Sequence, residues 1–277
     1  MRSTGLGQGE TIEPFPETGL DSNFRSSHRP RGLEPGLVRC LPAALEHVRP
    51  TRHNHTGVSN VGGSSSGEER MSNAIEAANH LQLAFAGERF GTILADPPWR
   101  FTNRTGKVAP EHRRLSRYDT MAWKEIASLP VADLAADRAH CYLWSPNTMV
   151  PDALRVLEEW GFAYKTMIVW HKVRRDGGSD GRGVGFYFRN VTETVLFGIR
   201  GGLRTLAPGR SQVNLIASRK REHSRKPEEL YPIIEACSPS PRLELFARYP
   251  REGWSAWGNE ADANIAPRGR QYPGYGL

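Results

Sequence analysis

From Ser72 onward the chain alternates short β-prone runs with stretches of helical length, and that alternation restricts the fold more than any other feature. Thr92-Ile93-Leu94-Ala95 reads as a strand, Thr120 to Ser128 as a helix capped by Thr120, and residues 139–144 as a second strand. Val150 to Trp160 has helical character, with Pro151 near its first turn and Gly161 at its end, the positions that best tolerate those two residues. Lys165 to Trp170 and Thr192 to Ile199 read as strands on either side of a Gly- and Arg-rich loop, and Val213 to Ile216 as another. Pro227 opens a helix to about Ala236. Leu243-Glu244-Leu245-Phe246 then reads as a strand, and Ser255-Ala256-Trp257 is the last candidate. This order predicts an α/β fold: an open, mostly parallel sheet with helices on both faces. Ligands of such sheets bind outside the carboxyl ends of the strands, so the residues just beyond each strand carry the functional interest.

The first seventy residues are of a different kind. They hold only two aromatics, Phe15 and Phe24, many Pro, Gly, Ser and Arg residues, and no sustained period. Such a segment buries too little apolar surface to offset its ordering entropy, so residues 1–70 are expected to be a disordered extension. Residues 62–67 (GGSSSG) close it like a flexible linker, and Met71 directly behind them is a second candidate start. Residues 71–277 form the expected folded domain. Eight arginines match eight acidic residues up to Arg70, so the whole formal charge of +7 falls in that domain. A basic domain favours polyanions. No run of eighteen apolar residues suggests a membrane span, and no apolar stretch behind Arg2 suggests a secretory signal. Cys40, Cys141 and Cys237 lie too far apart for a C-x-x-C metal site, which points to free thiols in a cytoplasmic protein and to no metal.

Asp96-Pro97-Pro98-Trp99 stands at the end of the first predicted strand. Its residue types suit methylation of an exocyclic adenine amine. That nitrogen's lone pair is delocalised into the ring, so acceptors placed against its N–H bonds are needed to localise it. The Asp96 carboxylate offers one acceptor and the Pro97 carbonyl a second, while two consecutive prolines fix φ and remove donors. Trp99 offers a flat face for a flipped base. The plain alternative is a turn that merely stops a strand.

The tetrapeptide and its downstream partners resemble the MT-A70 family of adenine N6-methyltransferases, over about Phe90 to Glu260. Tyr118-Asp119-Thr120-Met121 is similar to the family's Y-x-T-M segment, Tyr142-Leu143-Trp144 to its L-W strand end, and Trp170-His171-Lys172 to its W-x-K strand. Gly185 to Asn190, followed by Glu193, resembles the arm before the next strand. His223 to Pro227, residues 243–248 (LELFAR) and Gly258-Asn259-Glu260 resemble its S-x-K-P, E-L-F-x-R and G-N segments. Several motifs in order are far more specific than one. The resemblance implies a Rossmann-like class I methyltransferase fold and S-adenosylmethionine as cofactor. It implies catalytic roles for Asp96, Pro97, Pro98 and Trp99, and cofactor contacts from Asp96, Lys226, Glu244, Leu245, Phe246, Arg248, Asn259 and Glu260. Substrate contacts are implied for Trp99, Tyr118, Lys172, Arg189 and Glu193. Two departures stand out. Ala247 replaces a frequent glycine, and Tyr249-Pro250-Arg251 differs from the Pro-His-Asn of some eukaryotic members, which touches the ribose contacts but not the class.

Between Arg200 and Lys226 eight basic residues face one acid, Glu222, and the 174–183 loop adds more. A basic cluster beside an adenine pocket suits phosphate contacts, against the plain reading of a solvated charged face. DNA is the preferred substrate, since no RNA-recognition signature is present and the chain resembles the compact bacterial and phage members. RNA adenine methylation and a non-catalytic nucleic-acid-binding subunit are the alternatives. Cytosine N4 or glutamine amide methylation is disfavoured, because those relatives usually begin the tetrapeptide with Ser or Asn and end it with Tyr. The protein is expected to act alone or as a homodimer.

Overall fold

The computed structural model describes residues 40–42, 67–101, 120–181, 187–220 and 225–258. The chain divides into two units, Met1–Pro35 and Gly36–Leu277, and everything described belongs to the second. Its strands are β1 (Cys40–Pro42), β2 (Phe90–Ala95), β3 (Ala135–Ser145), β4 (Ala163–Val173), β5 (Thr192–Arg200), β6 (Leu215–Arg219), β7 (Arg242–Leu245) and β8 (Trp254–Gly258). The helices are α1 (Gly67–Ala84), α2 (Trp123–Ala127), α3 (Val131–Leu134), α4 (Val150–Glu159) and α5 (Leu230–Cys237). The strands form one sheet in the order β1-β8-β7-β2-β3-β5-β4-β6. All neighbours are parallel except β5, which runs antiparallel to both β3 and β4.

The expected open, mostly parallel sheet is therefore present. β2 is buried along its whole length, as a strand covered on both faces must be. Its residues alternate between two cores: Ile93 and Ala95 join the cluster beneath α1, α2, α3 and α4, whereas Leu94 joins the cluster beneath α5. Cys141 and Leu143 of β3 face the first cluster, and Tyr142 and Trp144 the second. This period of two divides the chemistry of the protein between opposite faces of the sheet.

Differences from the sequence reading are local. Helix α2 starts at Trp123 rather than Thr120. Its cap is the Glu125 carboxylate, which accepts the Ala122 N–H at 2.7 Å. The Thr120 hydroxyl accepts the Arg100 guanidinium instead. Strands β3 and β4 run longer than the apolar runs suggested: β3 starts at Ala135, which pairs with Phe90 of β2, and β4 starts at Ala163 through antiparallel pairing with β5, so that Ala163 to Thr166 are exposed. Phe246 falls outside β7, as a turn residue at φ 61°. Helices α1, from Gly67, and α3 were not among the elements read from the sequence, and Cys40–Pro42 pair with β8 inside the stretch expected to lack structure. Helix α4 ends as expected, with Gly161 at φ +79°. Among the described residues no helix is long and apolar enough to cross a membrane, and no group of three or more His, Cys, Asp or Glu side chains could hold a metal ion.

Trp160 closes α4 fully buried, and its indole N–H donates to the Ile126 carbonyl at 3.2 Å. It thereby ties α2 to α4. Trp160→Ala should lower the unfolding free energy by about 3–5 kcal/mol, read from urea denaturation followed by circular dichroism.

Candidate active site

The sheet changes direction of winding between β2 and β7. From β2 the chain moves to β3 on one side, and from β7 to β8 on the other, although β2 and β7 are parallel neighbours. Their carboxyl ends therefore open a crevice that no crossover covers, the place where open α/β sheets bind ligands. Asp96 and Phe246 are the first residues beyond those two ends. The Asp96 N–H still reaches the Leu245 carbonyl at 3.4 Å, so the ladder extends one residue past β2. Pro97 and Pro98 cannot continue it. The chain is then stapled to the 120–122 segment: Met121 N–H donates to the Pro98 carbonyl and Arg100 N–H to the Met121 carbonyl, both at 2.8 Å.

A shallow cleft opens here on the α5 face of the sheet. Asp96, Trp144, Lys226, Glu244, Phe246 and Arg248 are among the residues lining it. The Lys226 ammonium donates to both oxygens of Asp96, each at 2.8 Å, and lies 3.7 Å from Glu193. It also sits 5.2 Å from the centre of the Trp144 ring. Glu193, from β5, accepts a close contact from Lys172 of β4 through its other oxygen. Lys172, Glu193, Lys226 and Asp96 thus form a row of alternating charge drawn from three strand ends and the segment before α5. Burial opposes the charge on Lys226, yet the Asp96 and Glu193 carboxylates hold its pKa above the ordinary lysine value. Burial likewise opposes the charge on Glu193, and Lys226 and Lys172 carry its pKa below the usual carboxylate range. Lys172 shifts down, because burial outweighs its single carboxylate partner and Lys220 and Lys226 add repulsion.

Glu244 lies at the floor of the cleft. Tyr231 donates a hydrogen bond to it at 2.9 Å, but removal from water dominates and raises its pKa to about 7. At the cleft mouth Glu228 accepts hydrogen bonds from Arg225 at 3.0 Å and from Arg251. The Arg251 guanidinium also stacks 3.6 Å from the centre of the Tyr231 ring.

The turn after β7 is tight. Phe246 takes a left-handed φ without being glycine and packs edge-on against Trp257 at 5.7 Å. The next residue, Ala247, donates to the Trp257 carbonyl at 3.0 Å. Gly258 permits this approach, since a Cβ there would meet the Ala247 carbonyl at 2.3 Å. The Ala247 methyl itself is tucked away and buried.

Residues 90–260 match the MT-A70 family. The chain belongs to the MT-A70 family of methyltransferases. It is 28% identical to the type II methyltransferase M.MunI of a Mycoplasma species, over 64% of this chain and 80% of that one. It is 34% identical to a probable N(6)-adenosine-methyltransferase MT-A70-like protein of rice, over 62% of this chain but 23% of that protein. With the catalytic subunit of human N(6)-adenosine-methyltransferase it shares 26% identity, over 80% of this chain and 38% of the human one. The chain thus spans a quarter to two-fifths of these eukaryotic relatives.

Of the residues expected at an MT-A70 site, the fold gathers Asp96, Lys226, Glu244, Phe246 and Arg248 round the cleft, with Glu193 and Lys172 joined through Lys226. Others stand elsewhere. Leu245 is fully buried in the core beneath α2 and α4, one step out of phase with Glu244, so only its backbone meets the site. Trp99 is buried in that same core, and its indole N–H donates to the Trp144 carbonyl at 2.9 Å. It wedges the loop in place rather than offering an open face; Trp144, as deeply buried, is the aromatic residue that lines the cleft, beneath Lys226. The Pro97 carbonyl, expected to meet no local donor, accepts the Trp99 N–H at 2.9 Å and keeps its second lone pair. Arg189 is exposed in the segment before β5. Tyr118, Asn259 and Glu260 lie outside the described residues.

The basic cluster also divides. Arg200 pairs in register with Ala139, in the amino-terminal half of β3 on the side away from the cleft, where its guanidinium donates to the Ala132 carbonyl. Arg225 and Lys226 reach the cleft but are engaged by Glu228 and by Asp96 and Glu193. Sequence reasoning missed Trp144 as a lining residue, and also Tyr231 and Glu228, and met Arg251 only as a departure from the family's pattern. Trp144 at least stood at the carboxyl end of a recognised strand; Tyr231 and Glu228 carried no local signal.

Because the folded pKa of Glu244 lies above its ordinary value of 4.5, the folded state holds a proton that the unfolded chain has lost. This residue's contribution to stability therefore falls as pH rises from about 4.5 to about 7. Glu244→Gln should stabilise the protein at pH 8 and lose that advantage at pH 4.5, as measured by urea midpoints at the two pH values.

Proposed function

We propose that this protein transfers a methyl group from S-adenosylmethionine to the N6 amine of adenine in DNA. What carries the reading is the Asp96 carboxylate, held by Lys226 at the mouth of the β2/β7 crevice in a cleft that offers both signs of charge.

The cleft's donor set fits the cofactor. Glu244, ionised, can accept hydrogen bonds from two ribose hydroxyls, as an acidic residue does at the same point of dinucleotide-binding folds. Asp96 and Lys226 together match the ammonium and carboxylate of an amino-acid tail, and Phe246 and Arg248 border the same space. S-adenosylmethionine when bound supplies an electrophilic methyl group on a sulfonium centre.

The protein's part is acceptance and positioning. An ionised carboxylate has about four acceptor sites. Lys226 occupies two on Asp96, which leaves room for an adenine N–H. The free lone pair of the Pro97 carbonyl is the neighbouring acceptor, and its Trp99 hydrogen bond fixes where it points. Acceptors against both N–H bonds return electron density to nitrogen, and Asp96 is the base at hand for the proton the amine loses. Trp144 lines the cleft beneath Lys226. The scaffold's work is chiefly electrostatic and positional.

Similarity to the mycoplasma type II methyltransferase over most of that protein's length favours DNA. Similarity to the plant and human N(6)-adenosine-methyltransferases makes adenosine in RNA the second reading.

Asp96→Ala should reduce methyl transfer at least a hundredfold, measured with labelled S-adenosylmethionine and nucleoside digestion of matched DNA and RNA. Folding should survive, because Lys226 keeps Glu193 as a partner. Activity above a tenth of wild type would overturn the role of Asp96. The affinity for S-adenosylmethionine should rise with pH through about 7 as Glu244 ionises, and that rise should vanish in Glu244→Gln. Calorimetric titration at pH 6 and pH 8 reads it directly.

A further inference from the structure

Tyr187 and Phe188 are consecutive aromatic residues with 94% and 85% of their surface exposed. A single exposed apolar side chain needs no explanation, but an adjacent pair of rings held in water does. They precede β5 in the segment whose base is firmly anchored. Val191 accepts the Lys172 N–H at 2.8 Å, and Asn147 donates to the Thr192 hydroxyl at 3.0 Å. Asn147 lies just beyond the carboxyl end of β3, and Lys172 near the carboxyl end of β4. The aromatic pair therefore leaves the sheet at the same end as the Asp96 cleft. Glu193, which contacts Lys226, is only five or six residues further along. A chain of that length spans at most about 20 Å, or roughly six base steps of nucleic acid.

Two cations near the pair, Arg189 and Arg175, are exposed, while Arg174, in the same loop as Arg175, is engaged by Asp176. Arg189 is the next residue and Arg175 stands in the 174–181 loop, whereas Lys220, just beyond β6, is taken up by Asp180 at 3.2 Å. Aromatic faces interleaved with cations are the composition that holds single-stranded or opened nucleic acid: cations meet the backbone, and rings stack on bases without reading sequence.

We infer that Tyr187 and Phe188 form a stacking platform for the bases that flank the target adenine. This inference rests on the nucleic-acid reading above and adds a second contact surface outside the cleft. Its occupant is a strand whose bases are unpaired or locally opened. The platform holds that strand while one adenine reaches Asp96, and fills the gap that an extruded base leaves in its stack.

The test compares two fluorescein-labelled probes of equal length, a short oligodeoxyadenylate and an abasic backbone, by anisotropy with the full chain. Each stacked base contributes a roughly 5- to 150-fold gain in affinity. The double variant Tyr187→Ala, Phe188→Ala should bind the oligodeoxyadenylate at least tenfold more weakly and the abasic probe within twofold of wild type. Tyr187→Phe, which keeps the ring, should bind like wild type. Arg189→Ala should instead lower the slope of log affinity against log salt by about 0.7 to 0.9 on both probes. Both aromatic side chains are exposed, so thermal midpoints should not move. Equal losses on the two probes would overturn the platform, and so would no loss on either, the outcome expected of a protein-partner surface. Both results leave the methyltransferase reading standing. Wild-type protein that binds S-adenosylmethionine but neither probe would overturn the platform together with the nucleic-acid reading.

Discussion

The ammonium of Lys226 is the group on which the site's arrangement depends. It joins three parts of the chain that are distant in sequence: the residue after β2, the start of β5, and the segment entering α5. Two carboxylates face it, and burial works against it. A pair of opposite charges near 4 Å is worth roughly 4 kcal/mol at an effective dielectric of about 20, enough for two partners to outweigh partial dehydration. The upward shift of Lys226 records that outcome. Lys172 shows the opposite result from nearly the same ingredients. It has one carboxylate and two cationic neighbours, so burial prevails and its pKa moves down.

Such a row of charges is weak evidence for stability, because well-packed apolar residues could replace buried ion pairs at little or no loss. Its value lies in orientation. Asp96 is presented with a defined direction and with acceptor capacity to spare, and its partner lies over the Trp144 ring. Trp99 contributes from behind: its buried indole, bonded to the Trp144 carbonyl, joins the end of β3 to the loop that carries Asp96. The loop and Trp144 are therefore positioned as one unit. The strained Phe246 backbone serves the other side of the crevice, where the chain must turn at once after β7.

Much of the fold was legible because parallel strands buried on both faces leave long apolar runs punctuated by Pro and Gly. Thr92 to Ala95 of β2 is an example, and the helix from Val150 to Trp160 was legible through Pro151 at its start and Gly161 at its end. Boundaries were less legible where pairing rather than composition set them, as in the exposed first half of β4. Asp96, Lys226, Glu193 and Glu244 were visible through ordered motifs. The motifs could not say which side of the sheet each neighbour faces, and so Leu245 and Trp99 were read into the site when alternation buries them in the core beneath α2 and α4. The basic stretch from Arg200 to Lys226 was read as one surface. Among its described cations, Arg200 lies at the far end of the sheet, and Arg225 and Lys226 are engaged by carboxylates, while Arg221 lies outside the described residues.

By itself the sequence determined the class of fold, the order of β2 to β8 with helices α2, α4 and α5 between them, and the residue types able to hold an adenine amine. Those come from local periodicity and from chemistry contained within a few neighbouring residues. Only the tertiary structure decided that Trp144 lines the cleft, that Tyr231 and Arg251 guard Glu244, and that two carboxylates share one ammonium. These depend on strand order and on the two-residue alternation of faces across paired strands. Contacts between residues 96 and 226, or 144 and 99, arise only when the sheet brings distant segments into register.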